Sequence, residues 1–299
     1  MKKNASFLGP FLVVLAGIFW GSMGIFVRRL TALGFSSLQI TAGRLTLGAA
    51  VFCMILLLRG PKGFRIRLKD IPLFLGLGLL SVLFFTVCYF TAITMMPLST
   101  AAILLYTSPI WILLMSVLFF HEKLTAGKVL ALALAFSGCV LVSGVTSGAA
   151  GGGLTLAGLL FGLGSGLGYG LYSILGTVAL RRYSPFTVTT WTFVIAAVGS
   201  WFICQPADLL ARIAAAPSPA GLSLFFLLTA VVTAVVPFLA YTLGLQRMEA
   251  SKAGILATIE PLVAALIGVM IFAEPMTLSS GLGIVLILAA AVLLNRKAA

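Results

Sequence analysis

The stretch MPLSTAAILLYTSPIWILLMSVLFFHEKLT, which begins at Met96, aligns without a gap with MEASKAGILATIEPLVAALIGVMIFAEPMT, which begins at Met248. Pro109 falls on Pro261, and a Glu and a Thr near the end of each stretch also coincide. Each stretch contains an apolar run of about 20 residues, the length that a helix needs to cross a bilayer. The match therefore predicts an internal repeat of membrane-spanning helices.

The rest of the chain has the same character. Of its 299 residues, 61% are hydrophobic and only 8% are charged, and the charges lie in short patches between long apolar blocks. The composition predicts an all-α polytopic membrane protein, because a soluble domain needs more surface charge. Ten segments have the required length: roughly 8–28, 37–58, 71–92, 98–120, 126–144, 154–178, 186–204, 221–243, 251–272 and 278–295.

The ten predicted helices divide into two related halves, 1–148 and 149–299. The first two helices of each half match weakly, with Trp20-Gly21 against Tyr169-Gly170 and Phe35-Ser36 against Tyr183-Ser184. Five helices per half force the second copy to enter the membrane from the opposite side. Such inverted repeats are typical of secondary transporters, whose binding site lies between the halves near the midplane.

Basic residues predict the orientation of the chain. With both termini in the cytoplasm, the outer loops hold only Arg28, Arg29 and Arg212, and most other Lys and Arg residues fall on the inner side. This bias follows the positive-inside rule and predicts a multi-pass protein of the cell inner membrane. The net charge of +13 does not indicate nucleic acid, because the basic residues separate apolar segments and form no basic face.

Several short motifs resemble the drug/metabolite transporter superfamily, in its ten-helix EamA-type branch. They are FWGS from Phe19, Arg44 in the second helix, PLSTAAILLYTSPI from Pro97, FFHEKLT from Phe119 and ATIEPLVAALIG from Ala257. The resemblance implies ten helices, cytoplasmic termini, and export or exchange of small metabolites, often amino acids. It also implies a central pocket lined by helices 1, 3, 4, 6, 8 and 9.

Two charged residues lie well inside predicted helices and away from their ends, where a charge costs about 2.5–3.5 kcal/mol on insertion scales. Glu260 either binds a proton, a cation or a substrate amine, or is a structural carboxylate near Pro261. Arg44 either binds a substrate carboxylate or pairs with Glu260, or it snorkels outward and satisfies backbone carbonyls. Both residues are candidates for charge recognition or coupling.

Prolines and aromatic residues complete the candidate site. Pro109, Pro237 and Pro261 lie within predicted helices and mark either hinges beside a cavity or simple kinks. Tyrosine hydroxyls deep in hydrocarbon need a polar partner, which a central cavity would supply. The predicted substrate-binding residues are Trp20, Tyr89, Tyr106, Ser108, Trp111, Tyr169, Tyr172, Tyr241, Thr258 and Glu260.

The predicted function is export or exchange of small metabolites, with amino acids first and drugs, sugars or nucleotide precursors as alternatives. An intramembrane enzyme is the rival class, but Asp70 and Asp208 lie in loops and Thr125 replaces the second His of an HExxH motif. We expect no metal, no cofactor and no nucleic acid. The expected partners are a small-molecule substrate and the lipid bilayer, and both a monomer and a homo-oligomer fit the sequence.

Overall fold

The computed structural model describes residues 2–96, 98–143, 155–273 and 276–295, and within these ranges the chain forms helices and no strand. The predicted boundary between the halves, at 148 and 149, lies outside the described residues, as does Glu274. Ten helical segments follow the predicted ones: α1 Phe7–Ala32, α2 Ser37–Arg59, α3 Leu68–Met95, α4 Thr100–Phe120, α5 Ala126–Val142, α6 Leu156–Leu180, α7 Pro185–Trp201, α8 Pro219–Leu245, α9 Ala250–Phe272 and α10 Leu278–Asn295.

Seven of these segments are long and apolar enough to cross a membrane by themselves, namely α1, α2, α3, α4, α6, α8 and α9. The segments α5 and α7 have 17 residues each and α10 has 18, which is near the lower limit for a span. The chain is therefore a polytopic membrane protein, whereas the count of ten spans stays a prediction.

Helix starts and ends are set by local chemistry. Ser36 begins α2 with a capping box: the Ser36 side chain accepts from Gln39 N, and the Gln39 side chain accepts from Ser36 N. Ser184 caps the start of α7 with a single bond, because its side chain accepts from Thr187 N at 3.1 Å. At the other end, α4 and α9 both stop at a left-handed residue, His121 with φ 53° and Ala273 with φ 54°.

Five of the long helices are irregular in the middle. A turn at Ser22 interrupts α1, and turns also interrupt α4 at 106–107 and α9 at 257–258. The helices α3 and α8 each contain a wider π-helical segment, Gly76–Leu83 and Val231–Val235. Irregular backbone in a membrane protein is tolerated where it is buried in protein or borders a cavity. These breaks therefore mark the region where a site is expected.

Helix packing follows a regular scheme. The helix α1 contacts α8 and α9, and α6 contacts α3 and α4. The pairs α2–α7, α4–α9 and α5–α10 are also in contact, as are α2–α8 and α3–α7. Exchanging α1–α5 with α6–α10 converts each of these pairs either into itself or into another of the named pairs.

One helix was not expected from the sequence. The amphipathic helix Pro206–Ala214 follows α7, which ends at Trp201 rather than near 204, and turns by 86° from it. Its apolar side packs Leu209 into a cluster with Phe226, and Ile213 packs against the same cluster. Its Arg212 donates to Gly34 O at 2.7 Å. A helix at this angle to a span is suited to lie in the membrane interface.

Candidate functional site

A small cavity lies among α1, α3, α6 and α8, close to the irregular segments of α1, α3 and α8. Its volume is about 20 Å³, enough for one water molecule. The lining is mainly aromatic, with two serines, and consists of Trp20, Ser81, Val82, Phe85, Tyr169, Tyr172, Ser173, Phe238 and Tyr241. The cavity is too small for a metabolite in this conformation, so binding one requires the surrounding helices to separate.

Trp20 is the centre of the aromatic lining. Its ring lies 5.2 Å from Phe238, 5.4 Å from Tyr241 and 6.0 Å from Tyr169, measured between ring centroids. The contacts with Phe238 and Tyr169 are edge-on, a geometry that aromatic pairs favour. Because Trp20 belongs to α1 and its partners to α6 and α8, this cluster joins the two predicted halves.

Two hydroxyl pairs connect α6 to α8 beside the cavity. Tyr172 Oη and Thr242 Oγ1 are 2.7 Å apart, and Ser173 Oγ and Tyr241 Oη are also 2.7 Å apart. Thr242 Oγ1 already donates to Phe238 O, so Tyr172 is the donor in the first pair. These bonds satisfy tyrosine hydroxyls that would otherwise be unpaired in an apolar environment.

Glu260 lies at the start of a helical segment. The turn at 257–258 divides α9, and Glu260 is in the first turn of the following segment, Ile259–Phe272. The dipole of a helix start favours a negative charge there. Tyr169 donates a hydrogen bond to Glu260 Oε2 at 3.1 Å, so the carboxylate lies beside the aromatic cavity.

Arg44 is buried, with 9% of its surface exposed. Its Nη1 contacts Met23 Sδ at 2.8 Å, just after the break in α1, and its Nε has no hydrogen-bond partner among the described residues. The charges of Arg44 and Glu260 are near enough to interact. Within the described parts of the chain, however, no ion pair of 4.0 Å or less joins them.

The three prolines occupy helix starts rather than helix interiors. Pro109 and Pro261 each follow a turn and stand in the first turn of a new segment, where their missing N–H would have no helical partner. Pro237 occupies the same position after the π-helical segment of α8. Pro109 and Pro261 therefore stand beside turns, and Pro237 stands at the end of the π-helical segment within α8. Their role as hinges stays a prediction.

The structure brings together part of the predicted site. Trp20, Tyr169, Tyr172 and Tyr241 line the cavity. Glu260 adjoins it through Tyr169, and Tyr89 and Tyr106 lie within range of the Glu260 charge without lining the cavity. The other predicted residues lie outside the lining: Ser108 and Thr258 are buried at the breaks of α4 and α9, and Trp111 has a buried indole N–H without a described partner.

Sequence reasoning missed five lining residues: Ser81, Val82, Phe85, Ser173 and Phe238. Ser81 and Ser173 carried a usable signal, because each places a hydroxyl group within a largely apolar helix. The apolar residues carried no such signal, since any face of a buried helix contains them. No group of three or more His, Cys, Asp or Glu side chains in the described ranges is placed to hold a metal ion.

A bundle of apolar helices with broken segments around an aromatic and charged centre defines the class of polytopic membrane transporters. The chain belongs to the EamA-like transporter family, whose model matches residues 7–144 and again residues 156–296. This agrees with the resemblance found in the motifs, and EamA-like proteins form part of the drug/metabolite transporter superfamily.

Named relatives agree with a transporter rather than an enzyme. An uncharacterized transporter of Archaeoglobus fulgidus is 31% identical over 290 residues, which cover 97% of each chain. The uncharacterized transporter YvbV of Bacillus subtilis is 25% identical over 298 residues, covering 99% of this chain and 93% of YvbV. The pseudopaline exporter CntI of Pseudomonas aeruginosa is 32% identical over 116 residues, or 39% of each chain.

A solved structure titled "Crystal structure of protein" has a TM-score of 0.77 to this chain. The match covers 97% of this chain and 96% of that one, at 20% sequence identity. This likeness shows the fold alone.

Proposed function

We propose that the chain transports small zwitterionic metabolites, amino acids first, by alternating access between two inverted halves of five helices in the inner membrane. The packing scheme supports the two halves, because every helix pair named above has a counterpart when α1–α5 are exchanged with α6–α10. The family model also matches two successive stretches of similar length. Two halves of similar structure can exchange conformations and thereby expose one site to each side in turn.

Close backbone contacts support the same pairing at residue level. A Cβ added at Gly21 of α1 would lie 2.7 Å from Glu260 O of α9. A Cβ added at Gly170 of α6 would lie 3.3 Å from Ser108 O of α4. Gly21 aligns with Gly170 and Ser108 aligns with Glu260, so the two contacts are equivalent. Small residues that let helices approach closely are a common packing device in membranes.

The contacts between loops are consistent with ten spans. Lys128 pairs with Glu249, and Arg182 pairs with Asp70, and all four residues lie in or beside connections predicted to be cytoplasmic. Ten alternating spans would bring each pair to one side of the membrane. Cytoplasmic termini and inner-membrane location are part of the proposal.

Substrate class is inferred mainly from Arg44 and Glu260. These opposite charges come from different halves, interact, and yet are not paired within 4.0 Å. An α-amino acid carries a carboxylate and an ammonium group a few ångströms apart and would satisfy both charges. The aromatic lining would hold its apolar part. Drugs, sugars and nucleotide precursors remain the alternative substrates. As classes, they do not carry a carboxylate and an ammonium group close together.

Glu260 also suggests how transport is driven. A carboxylate that binds either a proton or the substrate ammonium, but not both, couples their movements in opposite directions. Such competition would let the entry of protons drive the export of the substrate. A relative is named an exporter, which favours the same direction.

The test is counterflow in proteoliposomes that contain the purified chain and a panel of labelled amino acids. We expect exchange with zwitterionic amino acids and weak exchange with analogues that lack either the amine or the carboxylate. The Arg44→Gln variant should discriminate less strongly against analogues that lack the carboxylate. The Glu260→Gln variant should discriminate less strongly against analogues that lack the amine. Equal exchange of both kinds of analogue by the unaltered chain would contradict the proposed substrate class.

A further inference from the structure

A buried ionic cluster lies between the end of α4 and the start of α9. The Glu122 carboxylate accepts from Lys128 Nζ at 2.9 Å, from Ala250 N at 3.1 Å and from the Ser251 hydroxyl. Lys128 Nζ is also 3.2 Å from Glu249 Oε2. Glu122 and Lys128 belong to the first predicted half, whereas the other three residues belong to the second. The cluster therefore ties the two halves together.

The cluster is withdrawn from solvent on one side and open on the other. The side chains of Lys128 and Glu122 are 4% and 9% exposed, whereas Glu249 is 45% exposed and also pairs with Lys252. Burial raises the pKa of Glu249, but hydrogen bonds from Lys252 and Lys128 outweigh this effect and leave the pKa below its ordinary value. Glu249 is therefore ionised at neutral pH.

We propose that the Glu122–Lys128 pair, with its bonds to Ala250 and Ser251, is the latch that closes the crevice on the predicted cytoplasmic side. This inference rests on the proposed function. Ser251 lies in the segment Ala250–Leu256, which ends at the turn directly before the segment that carries Glu260. Movement of the start of α9 would therefore act on the turn beside the site. Opening the crevice to the cytoplasm then requires Glu122 to release α9.

The chemistry of the latch suits repeated opening. A buried ion pair gains little net free energy over the two hydrated ions, because the cost of desolvation nearly cancels the attraction between the charges. If opening admits water to both charges, the latch can break and re-form with a small difference in free energy. Removing one charge alone has a different effect, because it leaves the other buried and uncompensated in the closed form. Such a change should shift the equilibrium toward the open form.

The experiment measures access to a single reporter cysteine. Cys53, Cys88, Cys139 and Cys204 are all free and are first replaced. Ser173→Cys then places a thiol in the lining of the cavity. A membrane-impermeant thiol reagent is applied to the predicted cytoplasmic face and, separately, to the opposite face of membrane vesicles, and the labelling rate is measured from each.

We expect Lys128→Met to raise the labelling rate from the cytoplasmic face about tenfold or more and to lower the rate from the other face. Lys252→Met is the matched control, because Lys252 pairs with the same Glu249 at the exposed edge and does not contact Glu122. It should change either rate less than twofold. Glu122→Gln keeps the side-chain shape and the bond from Ala250 N, and should also raise the cytoplasmic rate if Lys128→Met fails to fold.

Two outcomes would contradict the latch in different ways. If the reporter is labelled from both faces but neither Lys128→Met nor Glu122→Gln alters the cytoplasmic rate, the latch is wrong and alternating access stands. If the reporter is labelled from one face only, in the parent and in every variant, alternating access itself is wrong.

Discussion

Replacing glycines along the α1–α9 and α4–α6 contacts should destabilise the protein by amounts that the backbone geometry ranks. A Cβ at Gly21 would lie 2.7 Å from Glu260 O, and a Cβ at Gly166 would lie 2.7 Å from Leu104 O. Both obstacles are backbone atoms, which cannot turn away as a side chain can. The helices would have to move apart to accept an alanine at either position.

The size of the effect combines two opposing contributions. Overpacking a close contact costs about 1–3 kcal/mol. Alanine in a helix gains about 0.5–1 kcal/mol over glycine. We therefore expect Gly21→Ala and Gly166→Ala each to lower the free energy of unfolding by about 1–2 kcal/mol. Gly281→Ala is the matched control, since a Cβ there meets nothing within 4 Å, and it should raise stability by up to about 1 kcal/mol.

The assay is reversible unfolding in mixed detergent micelles, followed by loss of helical circular dichroism. Gly170→Ala should fall between the extremes, because the nearest atoms to its added Cβ, Ile112 Cγ1 and Ser108 O, lie 3.3 Å away. Equal stability of Gly166→Ala and Gly281→Ala would refute the close α4–α6 contact. A clear loss of stability in Gly170→Ala with none in Gly21→Ala would refute the equivalence of the Gly21–Glu260 and Gly170–Ser108 contacts.

Three further predictions concern the site and the topology. In the proposed site the Glu260 carboxylate accepts a hydrogen bond from the substrate ammonium, and a bond to a charged group is worth about 1.5–3 kcal/mol. We therefore expect Glu260→Gln to weaken the binding of amino acids at least about tenfold. At saturating substrate, exchange by this variant should no longer respond to an imposed pH gradient, and an unchanged response would exclude the proton role. Tyr172→Ala should alter substrate preference in a competition assay, and Tyr106→Ala should do the same if Tyr106 lines the open site. If both variants fold and keep the original preference, neither tyrosine belongs to the binding site. Accessible tags placed after Phe120 and after Phe272 should report opposite sides of the membrane, and the same side for both would contradict the inverted halves.

Much of the helical architecture was predictable from the sequence, because the bilayer imposes a simple length rule on apolar segments. The positions of the ten segments agree with the described helices, including the charged loop at Glu122 between α4 and α5. The aligned prolines, Pro109 and Pro261, also indicated where α4 and α9 would be interrupted. These features depend on local composition and repeat alignment, which the sequence displays directly.

Other features depend on distant contacts and could not be predicted. The lining by Phe85 and Phe238 depends on how helices rotate against one another, and both residues are ordinary members of apolar runs. The hydrogen bond that Ala250 N donates to the Glu122 carboxylate joins residues 128 positions apart in the chain. The amphipathic helix Pro206–Ala214 does have a signal in the sequence. Leu209 and Ile213 are four residues apart and share one face, and Asp208 and Arg212 have the same spacing on a neighbouring face. That pattern was present, but the length rule for spans does not detect a short interfacial helix.

The two charged residues of the site do not recur in the proposed repeat of the two halves. Glu260 aligns with Ser108, and the alignment of Ser36 with Ser184 places Thr192 opposite Arg44. Each charged residue is therefore represented by a hydroxyl residue in the other half. In the proposed mechanism the two halves exchange conformations because their backbones are similar. One carboxylate and one guanidinium would make the two halves of the binding site chemically different. Arg44→Thr with Glu260→Ser should thus preserve folding, by circular dichroism and thermal midpoint, while abolishing discrimination among charged substrates; loss of the fold would show instead that the two charges are structural.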